Sequence, residues 1–436
     1  MSVPSAFERR PTGVAPATLK THPRKIVAGL VAAAVYLPLA GLAAAFLAGC
    51  IVYYAVFVLR SPREAFRRLF DPRYNVVTET DPSVAAVGRA AITGAGRPGD
   101  RHLRIEGSSG NILHMVVRGG QSPESRAPGA PWLLFVHGFP ECWFSWDALM
   151  DQLSRQADEE GPDGAAARPA LLASRGFTCV AIDLRGYHLS PSPTDGGFTA
   201  FRRIDLSRDL ALAIATIQRR ERLGPCCVVA HDWGGLVSWD TAYLRPDLVN
   251  RLVILNSPHP RRFQEILGSS DQLKRSFYIL LFSIPYLPEA LERLTNFTIL
   301  NRMLHTFNPQ TGQLDRPLPE DDLKVYRYVM SSSGTLTAAL NYYRCQLWDM
   351  IFSPLVGPEV FGGVRLPGPE QKLQTKTMVV WGENDIALNI ELSKGLDRFV
   401  EDVRVRYLPG CSHWVPFDKP VEVARHVREF LSDWPQ

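Results

Sequence analysis

The chain has 436 residues, 46% of them hydrophobic and 21% charged, with a formal net charge of +4. These are globular values with material for a large core, and so small a basic excess gives no footing for nucleic-acid binding. Seven cysteines, an odd number with Cys226 and Cys227 adjacent in a core strand, do not look like a disulfide framework, and no C-x-x-C pair or His/Cys cluster suggests a metal; buried free thiols are expected.

Residues 1–25 form a basic tail carrying Arg9, Arg10, Lys20, Arg24 and Lys25. The next 34 residues, Ile26 to Leu59, contain no charge. A bilayer core needs only ~20 apolar residues, whereas the apolar core of a cleaved signal is ~7–15. The run continues through Ile51-Val52-Tyr53-Tyr54-Ala55-Val56-Phe57 beyond the lipoprotein-like Leu47-Ala48-Gly49-Cys50. An uncleaved membrane anchor over 26–59 is the expectation. Basic residues flank both ends, so orientation is unread; Asn296-Phe297-Thr298 is a sequon whose modification would report it.

Residues 60–100 read as a juxtamembrane linker. Strand signals follow at Leu103–Ile105, Ile112–Val117, Trp132–Val136 and Thr178–Ile182, with helical patterning at Trp146–Leu153 and Arg208–Arg222. Asp158 to Pro169 is a Glu/Gly/Ala/Pro tract with the composition of an exposed loop. Further buried strands are expected at Cys226–Ala230, Leu252–Leu255 and Met378–Trp381. Short apolar strands alternating with helices imply a mainly parallel sheet covered on both faces. From 258 to 368 that rhythm gives way to helices and loops rich in aromatics, read as an inserted cap between core segments 101–257 and 369–436.

Chemistry enters at Ala230-His231-Asp232-Trp233-Gly234, a strand, a tight turn and the opening of a helix. This is the nucleophile-elbow context of the α/β-hydrolase fold, with aspartate where serine usually stands. A carboxylate attacking saturated carbon gives an ester that water can cleave, whereas a serine would give an inert ether. Gly410-Cys411-Ser412-His413-Trp414 supplies a candidate base, and Trp381-Gly382-Glu383-Asn384-Asp385 a carboxylate just past a buried strand. The chain order Asp232, Asp385, His413 is that of the fold's triad, with Glu383 the fallback acid. His137-Gly138-Phe139-Pro140 follows the strand Trp132–Val136, so the amides of Phe139 and Trp233 are the candidate oxyanion donors.

Over residues 100–434 the chain resembles the α/β-hydrolase-fold epoxide hydrolases, above all the membrane-anchored animal branch that includes epoxide hydrolases 3 and 4. The resemblance rests on His137-Gly138-Phe139-Pro140-Glu141 with Trp143 to Trp146, Asp183-Leu184-Arg185-Gly186-Tyr187 and His231-Asp232-Trp233-Gly234. Asn341-Tyr342-Tyr343-Arg344, Trp381 to Asp385 and His413-Trp414 complete it. It implies two cap tyrosines that hold and protonate the epoxide oxygen: Tyr343 by its motif, and Tyr278 by its distance from Ser257-Pro258-His259. It further implies a cofactor-free hydrolase of lipid epoxides, with water as co-substrate, no protein partner and an endoplasmic-reticulum membrane location. A haloalkane or haloacid dehalogenase shares nucleophile and base but needs halide donors in place of the two phenols. A catalytically dead binding module would have lost triad members. Three departures from the family stand out: His188 in place of glycine, and inserted tracts at 158–169 and 360–369.

Overall fold

The computed structural model describes residues 81–434 apart from 94–96, 98, 120–128, 156–175, 194–196, 268, 308–313, 317 and 357–370. The expected anchor at 26–59, the basic tail and both inserted tracts lie outside these residues. Among the described residues no helix is long and apolar enough to cross a membrane.

Eight strands form one sheet: β1 (Arg101–Glu106), β2 (Ile112–Arg118), β3 (Ala130–Val136), β4 (Thr178–Ile182), β5 (Leu223–His231), β6 (Val249–Leu255), β9 (Lys376–Gly382) and β10 (Val403–Leu408). Their order is β1-β2-β4-β3-β5-β6-β9-β10. β2 runs antiparallel to both neighbours; every pairing from β4 to β10 is parallel. The central strands are apolar through their middles because helices cover both faces, so alternation is lost and continuous runs such as Val228-Val229-Ala230 and Leu252-Val253-Ile254-Leu255 are buried completely. β7 (Thr306–Phe307) and β8 (Leu314–Arg316) form a separate small ribbon.

The core helices include α2 (Asp147–Ser154), α3 (Arg203–Arg220), α4 (Asp232–Leu244), α12 (Val415–Asp418) and α13 (Pro420–Phe430). α3 begins five residues before the patterned stretch at Arg208, its first turn held by Arg203 bound to Asp240 of α4. Between β6 and β9 come α5 (Pro260–Ile266), α6 (Ser270–Arg275), α7 (Phe277–Ser283), α8 (Leu287–Leu294), α9 (Thr298–Met303), α10 (Glu320–Ser331) and α11 (Thr335–Val356). Within the stretch read as linker, Pro82–Ile92 forms helix α1. Asp81 caps it by accepting from the Ser83 amide at 3.1 Å, and Val84 and Ile92 are buried. A Cβ at Gly88 would meet the Tyr328 side chain at 2.4 Å, so only glycine lets α1 lie this close to α10. Six cysteines, Cys142, Cys179, Cys226, Cys227, Cys345 and Cys411, are free and buried, as expected.

Candidate active site

Asp232 opens α4 directly after β5, with φ of 48°, a left-handed backbone that costs a non-glycine residue of order 1–3 kcal/mol. Its surroundings are cut to fit. A Cβ at Gly138 would lie 2.4 Å from the Asp232 Cβ, and one at Gly234 would lie 2.2 Å from the Val136 carbonyl oxygen. Both positions must be glycine for the loop after β3 and the first turn of α4 to close on the aspartate. The Phe139 amide then donates to Asp232 Oδ1 at 2.9 Å, which places that donor at the reacting carboxylate. Trp233 follows on the first turn of α4, where backbone N–H groups lack intrahelical acceptors.

His413 reaches the site from the loop after β10. Its Nε2 stands 3.6 Å from Asp232 Oδ2, and its Nδ1 donates to Asp385 Oδ2 at 2.7 Å. Asp385 lies in the turn after β9, and its other oxygen, Oδ1, accepts from the amides of Ala387 and Leu388, each at 2.8 Å. It is Asp385, and not the fallback acid Glu383, that hydrogen-bonds the His413 ring.

The electrostatics follow from these contacts. Burial works against ionisation of Asp232, but the His413 ring, His231 and the Phe139 amide outweigh it, so the carboxyl is held below its ordinary value. Burial likewise disfavours charge on His413, yet the flanking carboxylates Asp385 and Asp232 prevail and push the imidazole well above its ordinary value. Tyr278 and Tyr343 are pushed up, first by burial and then by the charge of Asp232. Both phenols are therefore neutral donors.

α7 and α11 bring the two tyrosines together over the nucleophile. Their rings meet edge-on with centroids 5.9 Å apart, and both line one cavity of ≈ 770 Å³, mouth included, with Asp232 and Trp233. The Tyr343 ring also stands edge-on to Phe139 and Trp233, at 5.2 and 5.1 Å. Adjacent helical residues point ~100° apart, and the neighbouring Tyr342 instead donates to the Arg185 carbonyl at 2.8 Å, pinning α11 to the core. Arg344 pairs with Glu289 of α8 at 2.8 Å. The Asn-Tyr-Tyr-Arg run thus divides its work: one tyrosine faces the cavity while its neighbours fix the helix.

Three supports were not singled out in the sequence. Asn256, fully buried at the end of β6 with φ of 37°, donates from Nδ2 to Asp385 Oδ2 at 2.5 Å and accepts the Gly382 amide at 2.7 Å. Its signal is a polar residue at the carboxyl end of a central strand, where sites of open α/β sheets gather. Glu141 Oε2 accepts the Gly138 amide at 2.6 Å and meets His231 Nδ1 at 2.8 Å. His231 Nε2 in turn donates to the His413 carbonyl at 2.9 Å, tying the loop of Phe139 to the base. Finally, α6 clasps the acid loop. Gln272 accepts the Asn389 amide at 2.8 Å and donates to the Ala387 carbonyl at 3.1 Å, while Arg275 donates to the Asp385 carbonyl at 2.7 Å.

His188 also takes a left-handed backbone (φ 40°) where glycine is usual, and its Nδ1 meets Ser332 Oγ at 3.1 Å beside α10. Among the described residues no group of three or more His, Cys, Asp or Glu side chains is placed to hold a metal ion.

A doubly covered parallel sheet with an acid at its strand-to-helix elbow defines an α/β hydrolase. The family described as alpha/beta hydrolase fold matches residues 131–420. Epoxide hydrolase 3 of Mus musculus is 30% identical over 331 residues, covering 75% of this chain and 75% of its own. Epoxide hydrolase 3 of Xenopus tropicalis is 28% identical over 347 residues, covering 79% and 81%. The crystal structure of a Bacillus megaterium epoxide hydrolase in complex with an inhibitor superposes with a TM-score of 0.58 at 26% identity, over 76% of this chain and 99% of that one. The chain belongs to the α/β-hydrolase fold family and, within it, to the epoxide hydrolases.

Proposed function

We propose that this chain hydrolyses epoxides to vicinal diols through a covalent ester on Asp232. The carrying observation is one carboxylate, held ionised, facing two neutral phenols across a mainly apolar cavity, with a histidine–carboxylate pair behind it. In the first step an Asp232 oxygen attacks an epoxide carbon. The carbon–oxygen bond breaks toward the oxygen, which takes a proton from Tyr343 or Tyr278 and leaves a hydroxyalkyl ester. In the second step His413 removes a proton from water as it attacks the ester carbonyl. The resulting oxyanion faces the Phe139 and Trp233 amides, where a single donor is worth ~2.7–4 kcal/mol. Asp385 fixes the imidazole tautomer and stabilises the imidazolium. On collapse the His413 imidazolium returns its proton to the departing alkoxide, which leaves as the diol, and the proton freed as Asp232 returns to carboxylate restores the phenol. No cofactor is required. Asp232→Ala is expected to abolish turnover of styrene oxide; full activity in that variant would refute the assignment.

We further propose that residues 26–59 anchor the enzyme in the endoplasmic-reticulum membrane and that its substrates are lipid epoxides delivered from the bilayer. The uncharged 34-residue run and the apolar cavity support this. Deleting 1–59 is expected to move the enzyme from the membrane pellet to the supernatant. An undiminished pellet fraction would rule the anchor out.

A further inference from the structure

The charge of the cavity bears on which epoxides it can enclose, an inference resting on the epoxide-hydrolase reading of Asp232. Asp232 at its floor is held ionised. Arg203 is the only basic side chain among the described residues that line the cavity, and its guanidinium is already committed. Nε and Nη2 bind the two oxygens of Asp240 at 2.7 and 2.5 Å, and Asp240 is completely buried. For Arg203 to take a substrate carboxylate it would have to abandon Asp240, leaving a buried anion unpaired, which is among the more costly events in a protein interior. A carboxylate that stayed inside without Arg203 would be desolvated and would face Asp232, whose neighbour His413 is already shared between Asp232 and Asp385 and leaves that group of charges with an excess of carboxylate. Beyond Trp233 and the two tyrosines, the polar side chains of the wall, Ser257, Gln264 and Gln346, are also neutral.

We infer that the cavity admits only the uncharged part of its substrate: an epoxide whose chain, over the length enclosed, ends in a neutral hydrogen-bonding group such as an ester, amide or hydroxyl, and not in a free carboxylate. A free fatty-acid epoxide is accepted only when its carboxylate lies beyond the mouth.

The test uses the whole enzyme in detergent and chains of one aliphatic epoxide kept below their critical micelle concentrations. Each chain is made as free acid, methyl ester and primary amide, with the end group three or ten carbons from the ring. At three carbons the ester and amide are expected to exceed the acid in kcat/KM by tenfold or more. At ten carbons the gap closes. Asp240→Asn, which frees Arg203 from its buried anion, is expected to raise the short acid relative to its ester, and adding Arg203→Gln to remove that gain. If Asp240→Asn loses styrene oxide turnover, the wild-type acid-to-ester ratio alone decides. Equal kcat/KM for short acid and short ester in the wild type overturns the inference. Failure to turn over any epoxide, styrene oxide included, overturns instead the reading of the site on which it rests.

Discussion

His413 Nε2 stands 3.6 Å from Asp232 Oδ2, too far for a hydrogen bond yet close enough for each group to set the other's charge. The nucleophile stays ionised in part because the histidine is beside it, and the histidine is pushed up in part because the nucleophile is ionised. Esterification of Asp232 removes one of the two carboxylate charges that raise His413. The imidazole therefore gives up its proton more readily at the stage when the water step needs a base.

This coupling has a sign. His413 gains protonated character from Asp232, so Asp232→Asn, which removes the charge as the ester does, is expected to lower the His413 pKa. An NMR titration of the ring reads it directly; an unchanged or higher midpoint contradicts the coupling. In rapid-mixing experiments, ester hydrolysis should rise with pH as His413 loses its proton. Ester formation should hold through neutrality and fail only when acid protonates Asp232, below the ordinary carboxylate range.

His413→Gln leaves the nucleophile and both phenols in place. The ester is expected to form and accumulate, with its hydrolysis slowed ~10²–10⁴-fold, the usual contribution of a general base. Intact-protein mass spectrometry should show the adduct, and absence of a mass increase after substrate addition counts against the two-step scheme.

Tyr343→Phe and Tyr278→Phe each delete one donor to the developing alkoxide. Each is expected to slow ester formation by ~10²-fold, near the cost of losing a single oxyanion-hole donor, and the double variant should be nearly inactive. Ester formation unaffected in both single variants would return the halide-displacing alternative to consideration.

Asn256 holds Asp385 through the same oxygen that binds His413. Asn256→Ala should lower kcat roughly tenfold and shift the pH profile of ester hydrolysis with little change in KM, alongside a loss of stability of ~1–3 kcal/mol for the stranded buried groups. A lower melting temperature with an unaltered pH profile would show that the residue serves the fold alone.

Much of this was legible from local pattern. The apolar runs of β3, β5, β6 and β9 announced a covered parallel sheet, and the elbow, the histidine loop and the turn after β9 announced Asp232, His413 and Asp385 because each sits where a strand ends. The roles of Tyr278 and Tyr343 came from family resemblance, since nothing in helical periodicity separates Tyr343 from Tyr342. The site contacts of Asn256 with Asp385, of Glu141 with His231 and of Gln272 with Ala387 were invisible because each spans 90 or more residues of the chain. Helix α1 was missed for a related reason: its Gly/Ala/Pro content reads as linker, and its packing on α10, with Val84 and Ile92 buried and a close approach at Gly88, is set by residues far along the chain.

The central claim is the covalent ester, and the most direct measurement is a single turnover in ¹⁸O-water with enzyme in excess. If water attacks the ester carbonyl of Asp232, the diol takes its new oxygen from the carboxylate and emerges unlabelled, and ¹⁸O appears in the peptide containing Asp232. A labelled diol with an unlabelled Asp232 peptide would mean that water opened the epoxide directly.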